Sequence, residues 1–180
     1  PTLTVKDTDG DGLPTISGMA EPGSTVVITD PSGTKHEVMA NSSTGEYTLE
    51  LLVAPNPLTG TYTAVARDAA LNVSTATSVN TSDLTAPEAP KNLSVQDKDG
   101  DGIPSVSGTA EKNSRVTVTD PNGQTYTIDV GESGAFDFEL PNIPSPNLVG
   151  QYSFKATDQA GNTGLSSTVT VSDLTAPSAP

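Results

Sequence analysis

The chain reads as all-β, with two β-sandwich domains in tandem. Three observations predict it: an internal repeat, a period-two apolar pattern, and turn residues at intervals of roughly 8–12 positions. The repeat decides the domain count. With residue 1 set against residue 91, Val5-Lys6-Asp7-Thr8-Asp9-Gly10-Asp11-Gly12 falls on Val95-Gln96-Asp97-Lys98-Asp99-Gly100-Asp101-Gly102. The register continues through Gly18/Gly108, Ala20-Glu21/Ala110-Glu111 and Thr29-Asp30-Pro31/Thr119-Asp120-Pro121, and slips by one at Gly45/Gly134. It returns for Gly60/Gly150, Tyr62/Tyr152, Asp68/Asp158 and Asn72/Asn162. Asp83-Leu84-Thr85-Ala86-Pro87 then recurs as Asp173-Leu174-Thr175-Ala176-Pro177. The expected organisation is one repeat over 1–83, a Pro-rich linker over 84–90, a second repeat over 91–173, and the start of a further linker over 174–180.

Alternation within each copy gives seven strands and no helical period. The inward positions are Leu3 and Val5, then Ile16, Gly18 and Ala20, then Val26 and Ile28. Their counterparts are Leu93 and Val95, then Val106, Gly108 and Ala110, then Val116 and Val118. Outward Val27 becomes Thr117, so polarity drifts only on the outer face. A tight turn follows, Asp30-Pro31-Ser32-Gly33 or Asp120-Pro121-Asn122-Gly123, with residue types in the order turns prefer. The later strands carry Val38 or Ile128, then Tyr47, Leu49 and Leu51 or Phe136, Phe138 and Leu140. After a Pro-rich loop (Pro55 to Gly60, Pro141 to Gly150) come Tyr62, Ala64 and Ala66 or Tyr152, Phe154 and Ala156, and lastly Val79 or Val169 and Val171. Tyr62 and Tyr152 open the sixth strand, where immunoglobulin-like sandwiches place a tyrosine corner. The fold class is therefore two tandem immunoglobulin-like sandwiches of about seven strands each.

Composition narrows the chemistry. Domains this small bury only roughly 60–65% of their unfolded surface, so a disulfide or metal would matter to stability. With 0 Cys, only metal remains. Eight basic residues against 22 acidic give a net charge of −14, which repels nucleic acid and anionic membranes. No apolar run reaches the length of a membrane span. Nucleophile-elbow, zinc-protease and phosphate-loop motifs are absent, and the single histidine, His36, aligns with Tyr126, so no enzyme is expected.

The strongest chemical signal is Asp7-x-Asp9-Gly10-Asp11-Gly12 and its copy Asp97-x-Asp99-Gly100-Asp101-Gly102. Alternate carboxylates in a loop tightened by two glycines converge on one point, and calcium accepts six to eight such oxygens in tolerant geometry. The plainer reading is a polar turn, since Asp and Gly are common in turns. An EF-hand is excluded, because its twelfth position would be Gly18 or Gly108 and both flanks are strands. Alternating strand direction sends Asp83 out at the end that holds Asp7, Asp9 and Asp11. It also puts Glu111 and Asp158 at the end of the second repeat that meets the first. The expected calcium ligands are therefore these six, with Asp97, Asp99, Asp101 and Asp173 as the equivalent set further on and Asp68 matching Asp158. Ordinary loop capping competes for Glu111 and Asp158. An ion at the linker would add to the stiffness of its two Ala-Pro steps.

Ser17-Gly18-Met19-Ala20-Glu21-Pro22-Gly23-Ser24-Thr25-Val26, its echo Ser107-Gly108-Thr109-Ala110-Glu111, and Ala156-Thr157-Asp158-Gln159-Ala160-Gly161-Asn162 resemble bacterial Ig-like repeats. Such repeats fill biofilm-associated (Bap-type) and giant RTX-like surface adhesins, and the resemblance covers both copies. It implies an extracellular location at the bacterial cell surface and a calcium-stiffened spacer role in adhesion and biofilm formation. It also implies neighbouring repeats of the same chain as partners, and a monomer. The alternative is a module that grips a glycan or host protein through its loops. The first copy departs from the pattern at Arg67-Asp68-Ala69-Ala70-Leu71-Asn72, which lacks the glycine of that turn.

Overall fold

The computed structural model describes residues 1–56, 58–141 and 149–174. Most of the loop from Pro141 to Gly150 and of the second linker, 174–180, lies outside the described residues. The chain divides into two compact units, Pro1–Thr85 and Ala86–Pro180.

Unit 1 contains β1 (Thr4–Lys6), β2 (Thr15–Met19), β3 (Thr25–Thr29), β4 (Lys35–Met39), β5 (Glu46–Glu50), β6 (Gly60–Arg67) and β7 (Thr77–Thr81). They form two sheets, β1-β2-β5 and β4-β3-β6-β7, and every pairing is antiparallel. Unit 2 repeats this with β8 (Lys91–Gln96), β9 (Ser105–Thr109), β10 (Arg115–Thr119), β11 (Thr125–Asp129), β12 (Ala135–Glu139), β13 (Gly150–Thr157) and β14 (Ser167–Val171). Its sheets are β8-β9-β12 and β11-β10-β13-β14. Three strands facing four, with the fifth strand returning to pair with the second, is the immunoglobulin-like arrangement.

The alternation fixes the core. In unit 1, Val5, Ile16, Val26, Ile28, Tyr47, Leu51, Tyr62, Ala64 and Leu84 are buried together. In unit 2, Val95, Val106, Val116, Val118, Phe136, Leu140, Tyr152 and Phe154 are the counterparts of the first eight, Ala156 joins them, and Leu174, the counterpart of Leu84, is partly buried against the cluster. Tyr62 closes its corner by donating its hydroxyl to the Leu58 carbonyl at 2.8 Å, and burial pushes that hydroxyl up to about 12. Asp30 organises the turn into β4: its Oδ1 accepts from the Ser32 and Thr34 amides, and its Oδ2 meets His36 Nε2 at 2.9 Å. Burial alone would raise the Asp30 carboxyl. The bonds from His36, Ser32 and Thr34 outweigh it and hold the carboxyl below its usual range. Asp120 uses the Tyr126 hydroxyl at 3.1 Å in the same place, so the single histidine is a turn partner.

The departure at Leu71 has a conformational cost. The turn after β13 puts Gly161 at φ +91°, and Leu71 in unit 1 adopts φ +69° at the matching position. The turn itself is intact, with the Leu71 amide donating to the Asp68 carbonyl at 3.0 Å. A leucine in the left-handed region carries a penalty of about 1–2 kcal/mol, and this side chain is 70% exposed, so no packing offsets it. Leu71→Gly should therefore stabilise unit 1 by about 1 kcal/mol or somewhat less, because glycine also gains freedom in the unfolded chain. Denaturant unfolding of wild type and variant measures the difference; a loss of stability on substitution would contradict the strain assignment.

Candidate metal centre

The loop between β1 and β2 is built inward from Asp7. This residue follows β1 directly and is 1% exposed. Its Oδ1 accepts the Gly10 amide at 2.8 Å and, more weakly, the Asp9 amide at 3.3 Å, while Oδ2 accepts the Gly12 amide at 3.0 Å. Gly10 and Gly12 both sit at φ +81°, a conformation that suits glycine and lets the loop wrap one carboxylate. The winding places the next two acids. Asp9 Oδ1 accepts from the Asp11 amide at 3.3 Å, and Asp11 Oδ1 accepts from the Leu13 amide at 2.8 Å. Asp7, Asp9 and Asp11 thereby each bring one oxygen within 4.8 Å of the others. Asp7 thus caps its own loop, while Asp9 and Asp11 are exposed and each keep an oxygen without a hydrogen bond among the described residues.

A fourth carboxylate stands beside them. Glu50 ends β5 and pairs in register with Thr15 at the foot of the loop. Its Oε2 accepts the Thr15 hydroxyl, which is itself 2.7 Å from the Thr8 hydroxyl, so loop and strand are tied together. Its Oε1 is buried and has no hydrogen-bond partner among the described residues. Burial raises the Glu50 carboxyl, the charges of Asp9, Asp11 and Asp7 raise it further, and the Thr15 bond only partly opposes them. Sequence reading passed over Glu50 because it lies on the outward parity of its strand, far along the chain from the loop. The signal that could have found it is the cross-strand pairing with Thr15.

Unit 2 builds the same loop with a different neighbourhood. Asp97 accepts the Gly100 amide at 2.8 Å and the Gly102 amide at 3.0 Å, and Asp97, Asp99 and Asp101 again come within 4.8 Å. Lys98 replaces Thr8 and forms an ion pair with Asp137 on β12. Glu139, the counterpart of Glu50 and the register partner of Ser105, is exposed.

The other sequence-predicted acids belong to neither group. Asp158 accepts the Gly161 and Asn162 amides on Oδ1 and the Asn162 side-chain amide on Oδ2, so it caps its turn. Asp68 does the same for Asn72, and those bonds hold its carboxyl below the usual range. Glu111 is exposed in the turn before β10, where its carbonyl accepts from Ser114. Asp83 is exposed, and its Oδ1 accepts the Thr85 amide at 2.9 Å. The Thr77 hydroxyl bonds the Pro1 carbonyl, so β7 and β1 begin at one end of unit 1 and both finish at the other. Asp83 and the Asp7 loop therefore share an end. Asp173 is exposed just beyond β14.

These donors suit a hard divalent cation. All are carboxylate oxygens, with no thiolate or imidazole, which matches calcium or magnesium rather than zinc or copper. Glu50 is not in the group whose oxygens lie within 4.8 Å of one another, but its charge and those of Asp9, Asp11 and Asp7 act on each other. With such an ion bound, Asp7, Asp9 and Asp11 would each supply an oxygen, with Glu50 adding charge nearby.

The sandwiches and their acidic loops define a tandem immunoglobulin-like module. The bacterial Ig domain family matches residues 1–83 and 86–173, and the chain belongs to that family. No curated protein is detectably similar in sequence. Among solved structures, a biofilm-associated protein BSP domain is 20% identical with TM-score 0.39; the match covers 98% of this chain but only 30% of that one. A two-domain fibronectin type-III segment of chicken tenascin is 19% identical with TM-score 0.32, covering 94% of this chain and 98% of that one.

The Glu50 carboxyl titrates above its unfolded value. It therefore adds stability at low pH and withdraws it as pH rises through the folded pKa, so at neutral pH without a cation the ionised group opposes folding. Glu50→Gln should raise the melting temperature of unit 1 under chelation at pH 7, and shrink the further rise produced by millimolar calcium. Calorimetry of wild type and variant in both conditions reads both effects. A lower melting temperature under chelation would contradict the assignment.

Proposed function

We propose that this chain is a spacer segment of a large bacterial surface adhesin, stiffened by calcium held at the loops after β1 and β8. The observation that carries the reading is the convergence of Asp7, Asp9 and Asp11, each with an oxygen within 4.8 Å of the others, near a Glu50 carboxylate whose Oε1 is buried with no hydrogen-bond partner among the described residues, in a chain without cysteine. Such a group is stable at neutral pH when a cation shares it. Membership of the bacterial Ig domain family and the duplication support a repeated extracellular element. All seven aromatic residues, four Tyr and three Phe, pack into the two cores, which favours spacing over sugar recognition by ring stacking.

In this reading Asp83, Glu111 and Asp158 add oxygens at the linker, and Asp173 repeats the role of Asp83 for a following repeat. The partners are neighbouring repeats of the same chain, the protein is a monomer at the cell surface, and it performs no catalysis. No helix among the described residues is long and apolar enough to cross a membrane.

Small-angle scattering with calcium and after chelation tests the proposal. The expected result is a larger maximum dimension and a narrower distribution of conformations with calcium. Asp83→Ala should weaken that response more than Asp173→Ala. Superimposable profiles in calcium and chelator would refute calcium stiffening.

A further inference from the structure

The segment 84–90 is tied to the units at both of its ends. Leu84 is 2% exposed and packs into the core of unit 1 with Val5, Tyr47 and Tyr62. Pro87 and Pro90 are buried. Pro87 lies directly on the turn that follows β13: a Cβ added at Gly164 would stand 2.0 Å from the Pro87 carbonyl oxygen and 3.1 Å from its carbon. No side chain fits there, since such contacts call for about 3.4 Å or more. Gly164 is buried, and its amide donates to the Ala156 carbonyl at 2.9 Å, so the strip that receives Pro87 is fixed to the sheet.

Unit 1 supplies the control. Ser74 occupies the position of Gly164, with the same backbone bond, from its amide to the Ala66 carbonyl at 2.9 Å. Its hydroxyl accepts the Ala66 amide and donates to the Thr75 carbonyl. The turn itself therefore accepts a side chain at this place. What excludes one in unit 2 is the linker.

We infer that the strip at Gly164 is a docking surface for Pro87–Pro90, and that the freely rotating part of the linker is only Thr85 and Ala86. Even these two are restrained. Ala86 precedes a proline, which confines it to extended conformations, and the Thr85 amide is held by Asp83. The linker is then short because both units clamp it, whether or not a cation binds.

The test is amide relaxation of the full chain under chelation, with Gly164→Ser as the variant that copies the residue of unit 1. In the wild type, Glu88 and Ala89 should show order parameters near those of rigid backbone, about 0.85, with any minimum confined to Thr85 and Ala86. In Gly164→Ser the mobile stretch should extend through Ala89, while amide shifts within β9 to β14 stay close to wild type. Uniform mobility from Thr85 to Ala89 in the wild type would overturn the inference. So would a variant whose Glu88 and Ala89 remain as rigid as before. Because no calcium is present, the outcome is independent of the stiffening proposed for the ion.

Discussion

The carboxylate of Asp7 sets the geometry on which the rest of unit 1's loop depends. Three backbone amides converge on its two oxygens, and meeting them requires the chain to pass through Gly10 and Gly12 at positive φ. That winding leaves Asp9 and Asp11 beside it, with Glu50 behind. Backbone amides do most for Asp7; Asp9 and Asp11 receive one amide each, and Glu50 receives the Thr15 hydroxyl. His36 pairs with Asp30 and Arg67 with Glu37, both away from the loop, and Lys6 directly precedes it. A fold with so thin a core has little stability to set against concentrated like charge. The calcium proposed for this loop would resolve that conflict.

The second copy resolves the same conflict in part by substitution. Lys98 brings a positive charge onto the loop and anchors it to Asp137, and Glu139 turns out to solvent. Identical loop backbones therefore stand in different electrostatic surroundings. Unit 1 has Lys6 just before its loop and Glu50 close by; unit 2 has Gln96 at the first place, Lys98 inside the loop paired with Asp137, and Glu139 turned outward. The two loops are expected to differ in cation affinity although their motifs read alike, since affinity follows net ligand charge as well as geometry.

Fold and core were legible because period-two alternation and turn chemistry are local properties, and the duplication allowed each position to be read twice. Val27 against Thr117 marked an outward face without any structure. The tyrosine corner at Tyr62 was legible from its place at the head of β6. The triple-aspartate loops were legible as well, since their residues are contiguous. What the sequence hid is set by cross-strand register and by main-chain approach. Glu50 reaches the loop through its pairing with Thr15, and Pro87 meets Gly164 through backbone atoms that leave no trace in residue type beyond a glycine. Leu71 hid for a different reason: the absent turn glycine was visible, but the turn kept its shape and absorbed the strain. Asp68 and Asp158 read as ligands or as caps with equal ease, and their bonds to Asn72 and Asn162 are those of caps.

The central claim is that the loops hold a cation and that the loop of unit 1 holds it more tightly. A calcium titration followed through the amide resonances of Gly10, Gly12, Gly100 and Gly102 tests it most directly. The account predicts saturable shifts in both loops, with Gly10 and Gly12 responding at lower calcium than Gly100 and Gly102. An absence of saturable change in all four up to several millimolar, or the reverse order, would contradict it.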